Sequence, residues 1–251
     1  MKTFAIINQK GGVGKSTTDV NLSYELAKEN KVLSIDLDPQ AHSCSVYQSE
    51  TPQLTIKDLF TNPRLDINSV IISAQVKGNV IPNLDIIASD ILFAKVAEQI
   101  NNIYREKILA NHLKNLKEKY DYCVLDCPPN LGIITINALF ACDYFLIPLT
   151  ADKGALDGMA DLLTTAQEIK EEKNLNFFIL RNNIDIRNKQ TNAYLENELQ
   201  SYQDKLLSTI IHRAEIINQA RIVNEPLQIF SPQSKSVEEY RKLVKEINNK
   251  I

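Results

Sequence analysis

Short apolar runs bounded by polar residues alternate with longer segments of helical period from near the start of the chain to its end. Residues 3–8, 31–37, 122–126, 144–149, 176–180 and 207–211 read as strands, because each is a brief β-branched or aliphatic run. Residues 16–29, 90–120, 133–141, 155–172 and 236–250 read as helices, with one more after a polar loop at 181–189 and a short one after 211. Val20, Leu22, Leu26 and Ala27 supply a buried side to the first helix. Leu92, Phe93, Val96, Ile100, Ile103 and Leu109 do the same for 90–120. The last helix puts Val237, Tyr240, Leu243, Val244 and Ile247 on one stripe, the pattern of a docked helix. Residues 50–83 fit neither period cleanly. Near-continuous apolar strands separated by helices predict an α/β fold, a parallel sheet covered on both faces.

Composition narrows the reading. The 251 residues suit one α/β domain spanning 1–251, and no Gly/Ser-rich linker divides them. The formal net charge is −3, so any nucleic-acid contact must come from a local basic patch. Cys44, Cys123, Cys127 and Cys142 have no metal-ligand or disulfide spacing, and His42, His112 and His212 form no metal pattern and read as surface or packing residues. The N-terminal apolar run is too short for a secretory signal, and no run is long enough to span a membrane. The expectation is a reduced, cytoplasmic protein without structural metal or stable membrane insertion.

The sharpest chemical signal is Lys10-Gly11-Gly12-Val13-Gly14-Lys15-Ser16-Thr17, which follows an apolar strand and opens a helix. Glycines there let backbone N–H groups turn inward around phosphate oxygens, and the helix N-terminus adds partial positive charge. Lys15 would reach the β- and γ-phosphates of ATP, and the Ser16 hydroxyl would bind Mg²⁺. An ordinary G-x-x-x-x-G-K-[ST] loop needs Gly at position 9; this chain has Gln9 and an additional lysine, Lys10.

Two carboxylate-bearing strand ends should face this loop. Ile35-Asp36-Leu37-Asp38-Pro39-Gln40 closes one strand, with Asp36 and Asp38 on the same side. Asp38 would orient the attacking water, since an ordinary aspartate is too acidic to be a good base near pH 7. A turn or helix-cap role is the structural alternative for both aspartates. Asp126 ends Val124-Leu125-Asp126, ahead of Cys127-Pro128-Pro129-Asn130-Leu131-Gly132, and fits the acid that holds Mg²⁺ through water.

These three motifs, together with residues 130–139 and 146–149, resemble the ParA-type partition ATPases of the deviant-Walker ParA/MinD superfamily, in the short form without an added N-terminal DNA-binding domain. The resemblance implies a three-layer P-loop NTPase fold and an ATP hydrolase that closes as a nucleotide-sandwich homodimer. It implies that Lys10 reaches the partner's phosphates, so that Lys10, Lys15 and Asp38 carry catalysis. It further implies ATP-dependent, non-specific DNA binding, hydrolysis stimulated by a ParB-like protein, service in chromosome or plasmid segregation, and association with the nucleoid. By the same resemblance Arg213, and Asn182 or Asn183, would meet adenine, with His212 standing where proline is usual.

There are departures. After the 207–211 strand the resemblance calls for a basic residue that meets DNA, and this chain has Ala214-Glu215-Ile216-Ile217. Arg187, Lys189 and Arg221 are the nearest basic candidates. A nitrogenase-like reading fails for want of cluster cysteines. A MinD-like or other positioning ATPase, or a nucleotide-gated scaffold on a membrane or other cargo, is the alternative function.

Overall fold

Eight strands build one sheet: β1 (Lys2–Ile6), β2 (Val32–Asp36), β3 (Ile71–Val76), β4 (Asn79–Ile87), β5 (Tyr122–Asp126), β6 (Tyr144–Leu149), β7 (Phe177–Ile184) and β8 (Leu206–His212). Their order is β3-β4-β2-β5-β1-β6-β7-β8, in a computed structural model that describes every residue except 49, 51, 102 and 171–174. All neighbours pair in parallel except β3 and β4, an antiparallel hairpin at one edge.

Because successive strand residues face opposite ways, each central strand feeds two cores. Ala5, Leu33, Ile35, Cys123, Leu125 and Ile147 lie in one, covered by α2 (Ile56–Thr61), α3 (Leu92–Gln99), α4 (Ile108–Leu113), α5 (Ile133–Ala141), α6 (Lys153–Lys170) and α7 (Lys189–Glu198). Phe4, Ile6, Val32, Val124 and Leu146 lie in the other, covered by α1 (Lys15–Ala27), α8 (Glu215–Ile222), α9 (Leu227–Phe230) and α10 (Lys235–Lys250). The α/β fold is the expected one. The stripe on α10 is docked as predicted: Val237, Tyr240, Leu243 and Ile247 are buried against α1 and β8. Among the described residues no helix is long and apolar enough to cross a membrane.

Three expected elements differ. The helix predicted over 90–120 is broken, with Tyr104 in the left-handed region at φ +63°, where a right-handed helix cannot continue. Asn137 of α5 explains the new start: its amide donates to the Arg105 carbonyl (2.9 Å) and accepts from the Leu109 N–H (3.1 Å). Ile103, placed on the buried stripe by periodicity, is exposed instead. Residues 50–83 contain α2, closed by a Thr55/Asp58 capping box, and the β3–β4 hairpin. The hairpin turns at Lys77 and Gly78, both at positive φ. The expected loop at 181–189 begins as strand, since β7 continues to Ile184 and Arg181 anchors to the Leu207 carbonyl (2.8 Å). Residues 171 and 172 of the predicted 155–172 helix, and residues 51 and 102, lie outside the described residues.

Candidate active site

The parallel register brings three strand ends to one level. Ile6 of β1 and Asp36 of β2 both lie opposite Asp126 of β5. The loop leaving β1 therefore has both acidic segments on one side at the same sheet edge, Asp126 on the adjacent strand and Asp36 one strand beyond, as expected for the ligand edge of such a sheet.

Local backbone demands explain the glycines. Gly12 (φ +78°) and Gly14 (φ +90°) are left-handed, a region that penalises any side chain. At Gly14 a Cβ would also lie 2.3 Å from the Asn182 amide nitrogen. Side chains hold the loop from beneath: Asn8 donates to the Pro148 carbonyl (3.0 Å) and accepts from the Lys10 N–H (2.9 Å). Asn182, buried at the end of β7, donates to the Val13 carbonyl (2.7 Å). α1 starts at Lys15 without a side-chain cap, which leaves its first N–H groups available to an anion.

The two lysines face different ways. Lys15 is buried, and its ammonium donates to the Lys10 carbonyl (3.2 Å). Burial lowers its pKa below the usual lysine range, while Asp126, Cys127 and Asp38 pull it back up. The Lys10 ammonium instead ion-pairs with Asp152, a residue the sequence reading missed. Partial burial pushes Asp152 up, but its bonds to Lys10, Thr150 and the Ala155 N–H bring it below the usual carboxylate range. α6 passes close to the loop at Gly158, where a Cβ would meet Asn8 Oδ1 at 3.2 Å.

The carboxylates separate into roles. Asp36 is buried and accepts the N–H groups of Asp38 (2.9 Å), Ser43 (3.1 Å) and Cys44 (3.0 Å), so it pins the segment after β2. Asp38 lies beyond the strand, half-buried, and accepts from the Gln40 N–H (2.9 Å). The turn role is thus real for both, and only Asp38 lines the open cavity above the loop. Asp126 is fully buried, and neither carboxylate oxygen has a hydrogen-bond partner. Burial first, then the charges of Asp36 and Asp19, raise its pKa well above the ordinary value, with Ser16 and Lys15 opposing. An orphaned buried carboxylate beside a serine at a helix start fits a hydrated divalent cation.

The cavity, of about 670 Å³, runs from Gly11–Thr17 past Asp38 to α8. His42, expected on the surface or in packing, lines it. So does Arg221, expected on a DNA-facing surface. Arg213 and Asn183 are exposed, and neither lines the cavity. Arg187 is exposed and forked onto Asp185 (2.6 and 2.9 Å), while Lys189 opens α7. His212 pairs with Glu239 (2.7 Å), a packing role. All four cysteines are free and buried, and the described residues hold no cluster of three His, Cys, Asp or Glu fit for a metal.

Comparison with known proteins extends this geometry. Residues 1–179 match the family described as an AAA domain. The chain is 35% identical over 254 positions to sporulation initiation inhibitor protein Soj of Bacillus subtilis strain 168, covering 98% of each. It is 33% identical to the chromosome-partitioning ATPase Soj of Treponema pallidum strain Nichols, over 98% of this chain and 96% of that one. Among solved structures, a Borrelia burgdorferi plasmid partition protein superposes with TM-score 0.81 at 27% identity, covering 100% of this chain and 99% of the other. A Borrelia burgdorferi B31 structure bound to AMPPNP gives TM-score 0.85 at 29% identity with the same coverage.

Proposed function

The chain belongs to the AAA-domain family of ParA/Soj-type partition ATPases, and on that premise we propose that it binds Mg·ATP in the cavity above Gly11–Thr17 and closes as a homodimer around it. Lys15 neutralises the β- and γ-phosphates. Ser16 and, through water, Asp126 would hold Mg²⁺, which when bound would neutralise charge developing on the phosphates. Asp38 orients the attacking water at the mouth of the cavity and does little proton abstraction, which makes the reaction slow. Asn182 acts from beneath the loop; Asn183, near the end of β7, and Arg213, just after β8, would reach adenine only by turning toward the cavity.

The observation that carries the reading is the split between the two loop lysines. Lys15 turns into the phosphate site, while Lys10 is tethered to Asp152 in its own subunit. Lys10 has no task at its own phosphates in this arrangement, and a nucleotide in a facing subunit would give it one. Non-specific DNA is the proposed surface partner and a ParB-like protein the proposed stimulator; chromosome or plasmid segregation is the proposed setting, in line with the partitioning named for the relatives above.

Light scattering of the purified chain with no nucleotide, ADP and ATP, each with Mg²⁺, tests this. The expected result is a mass that doubles with ATP alone. Asp38→Ala should hold the dimer by slowing turnover about 10-fold or more. A chain that binds ATP and stays single, or an Asp38→Ala variant with unchanged turnover, would falsify the proposal.

A further inference from the structure

The cavity that the phosphate loop lines is also lined by α8, a helix with only Ala220 buried and with Ile217, Asn218, Arg221 and Ile222 on the cavity. Its position is fixed relative to α1. The chain turns at Asn224 (φ +52°), with the Glu225 N–H bonded to the Ala220 carbonyl (3.0 Å). It then locks onto Asn21 of α1: the Leu227 N–H donates to Asn21 Oδ1 (2.9 Å) and the Gln228 amide to the Asn21 carbonyl (3.1 Å). Asn21 lies on the helix whose first turn offers Lys15 and Ser16, so α8 is registered to the anion site itself.

Lys15 and Arg221 line the cavity together with Asp38 and Glu225. Glu225, the acid nearest in sequence, is buried and spent on Lys77 of the β3–β4 turn. Asp38 is engaged by the Gln40 N–H. Arg221 is exposed, and among the described residues no carboxylate lies within ion-pair distance of it. A guanidinium is always charged at physiological pH and presents a planar fork that matches phosphate oxygens. An uncompensated one lining the same cavity as a phosphate loop is placed for an anion held between them.

We propose that Arg221 is a nucleotide-binding residue, contacting the polyphosphate of the nucleotide bound in its own subunit. The inference rests on the reading of this cavity as the nucleotide site. It reassigns Arg221 away from a DNA-facing role.

Titration of the full-length chain with Mg·ATP, by calorimetry at two salt concentrations, tests the proposal on wild type, Arg221→Met, Arg221→Lys and Lys15→Ala. Arg221→Met keeps the aliphatic stem and removes the charge. It should weaken ATP about 10-fold, the usual cost of a lost charge-assisted hydrogen bond, and flatten the salt dependence. Arg221→Lys should recover most of the affinity. Unchanged melting temperatures check folding, and Arg221→Gln replaces any variant that fails that check. If Arg221→Met binds ATP within about twofold of wild type while Lys15→Ala does not bind, this inference is overturned and the nucleotide reading stands. If wild type itself does not bind ATP, the reading beneath it falls.

Discussion

Asp19 is a buried carboxylate behind the site. It is fully buried on α1, accepts the Ser34 (2.9 Å) and Ser23 (3.2 Å) hydroxyls, and shares its neighbourhood with Asp36 and Asp126. Burial pushes its pKa up to about 7, against the pull of those hydroxyls. An unfolded aspartate titrates near 3.9. Between those values the folded chain holds a proton that the unfolded chain has released, so stability falls as pH rises through that window and levels off above about 7. The raised values of Asp36 and Asp126 add to the same slope. Asp19→Asn should therefore melt higher than wild type at about pH 8, with the gap narrowing as pH falls and closing only below about pH 4. Thermal melts at both pH values check it, and a variant less stable at the higher pH would mean the buried charge is compensated. The glycines and Lys15 could be read from spacing because their tasks are set within one turn of chain. The Lys10–Asp152 pair could not: it joins positions 142 residues apart, and only the packing of α6 beside the loop brings them together. Asp152→Ala releases Lys10, and the expected outcome is a higher fraction of dimer at sub-saturating ATP, read by light scattering. An unchanged or lower dimer fraction would deny that Asp152 restrains Lys10.

At the scale of elements, local signals were legible where one segment decides its own fate, and illegible where another segment decides for it. The parallel strands β1, β2, β5 and β6 are buried on both faces, so their apolar runs announce them. The break between α3 and α4 is imposed by Asn137 of α5, and no period in residues 90–120 encodes that. β7 carries Arg181, Asn182 and Asn183 at its end because the strand must reach the phosphate loop and neighbouring backbone, and polar residues there read as loop. The same logic makes Asn21 a structural joint. It is buried, and its side chain satisfies the Leu227 N–H while donating to the Thr17 carbonyl (2.7 Å). Asn21→Ala strands a buried N–H, at a cost of about 1–3 kcal/mol. For a chain of this size that corresponds to a fall in Tm of about 2–4 °C per kcal/mol. Because the joint also sets where α8 stands, the variant should weaken ATP binding along with stability. A melting point that drops with ATP affinity intact would confine Asn21 to packing.

For the whole molecule the governing fact is its charge. At net −3 the chain is repelled by DNA at long range, so the proposed DNA binding would rest on a few local contacts, each adding its own increment of salt dependence. Arg187 is an exposed candidate for such a contact, but in the single chain its fork is closed on Asp185, which the pairing holds far below the ordinary carboxylate range. Engaging a phosphate means exchanging one anion for another, a contact weak enough that a single subunit would hold DNA poorly. In the proposed ATP-bound dimer two such patches would share one body, and the second contact would then be made without a second loss of translational freedom. The consequence is quantitative. Each phosphate neutralised contributes about −0.9 to the slope of log K against log salt concentration, so the slope with ATP should be about twice that with ADP. Arg187→Ala should reduce the ATP slope by about two, one contact from each subunit. Filter-binding titrations of random duplex across a salt series measure both. Equal slopes with ATP and ADP would separate DNA binding from dimer closure, and an Arg187→Ala slope equal to wild type would move the DNA face elsewhere on the molecule.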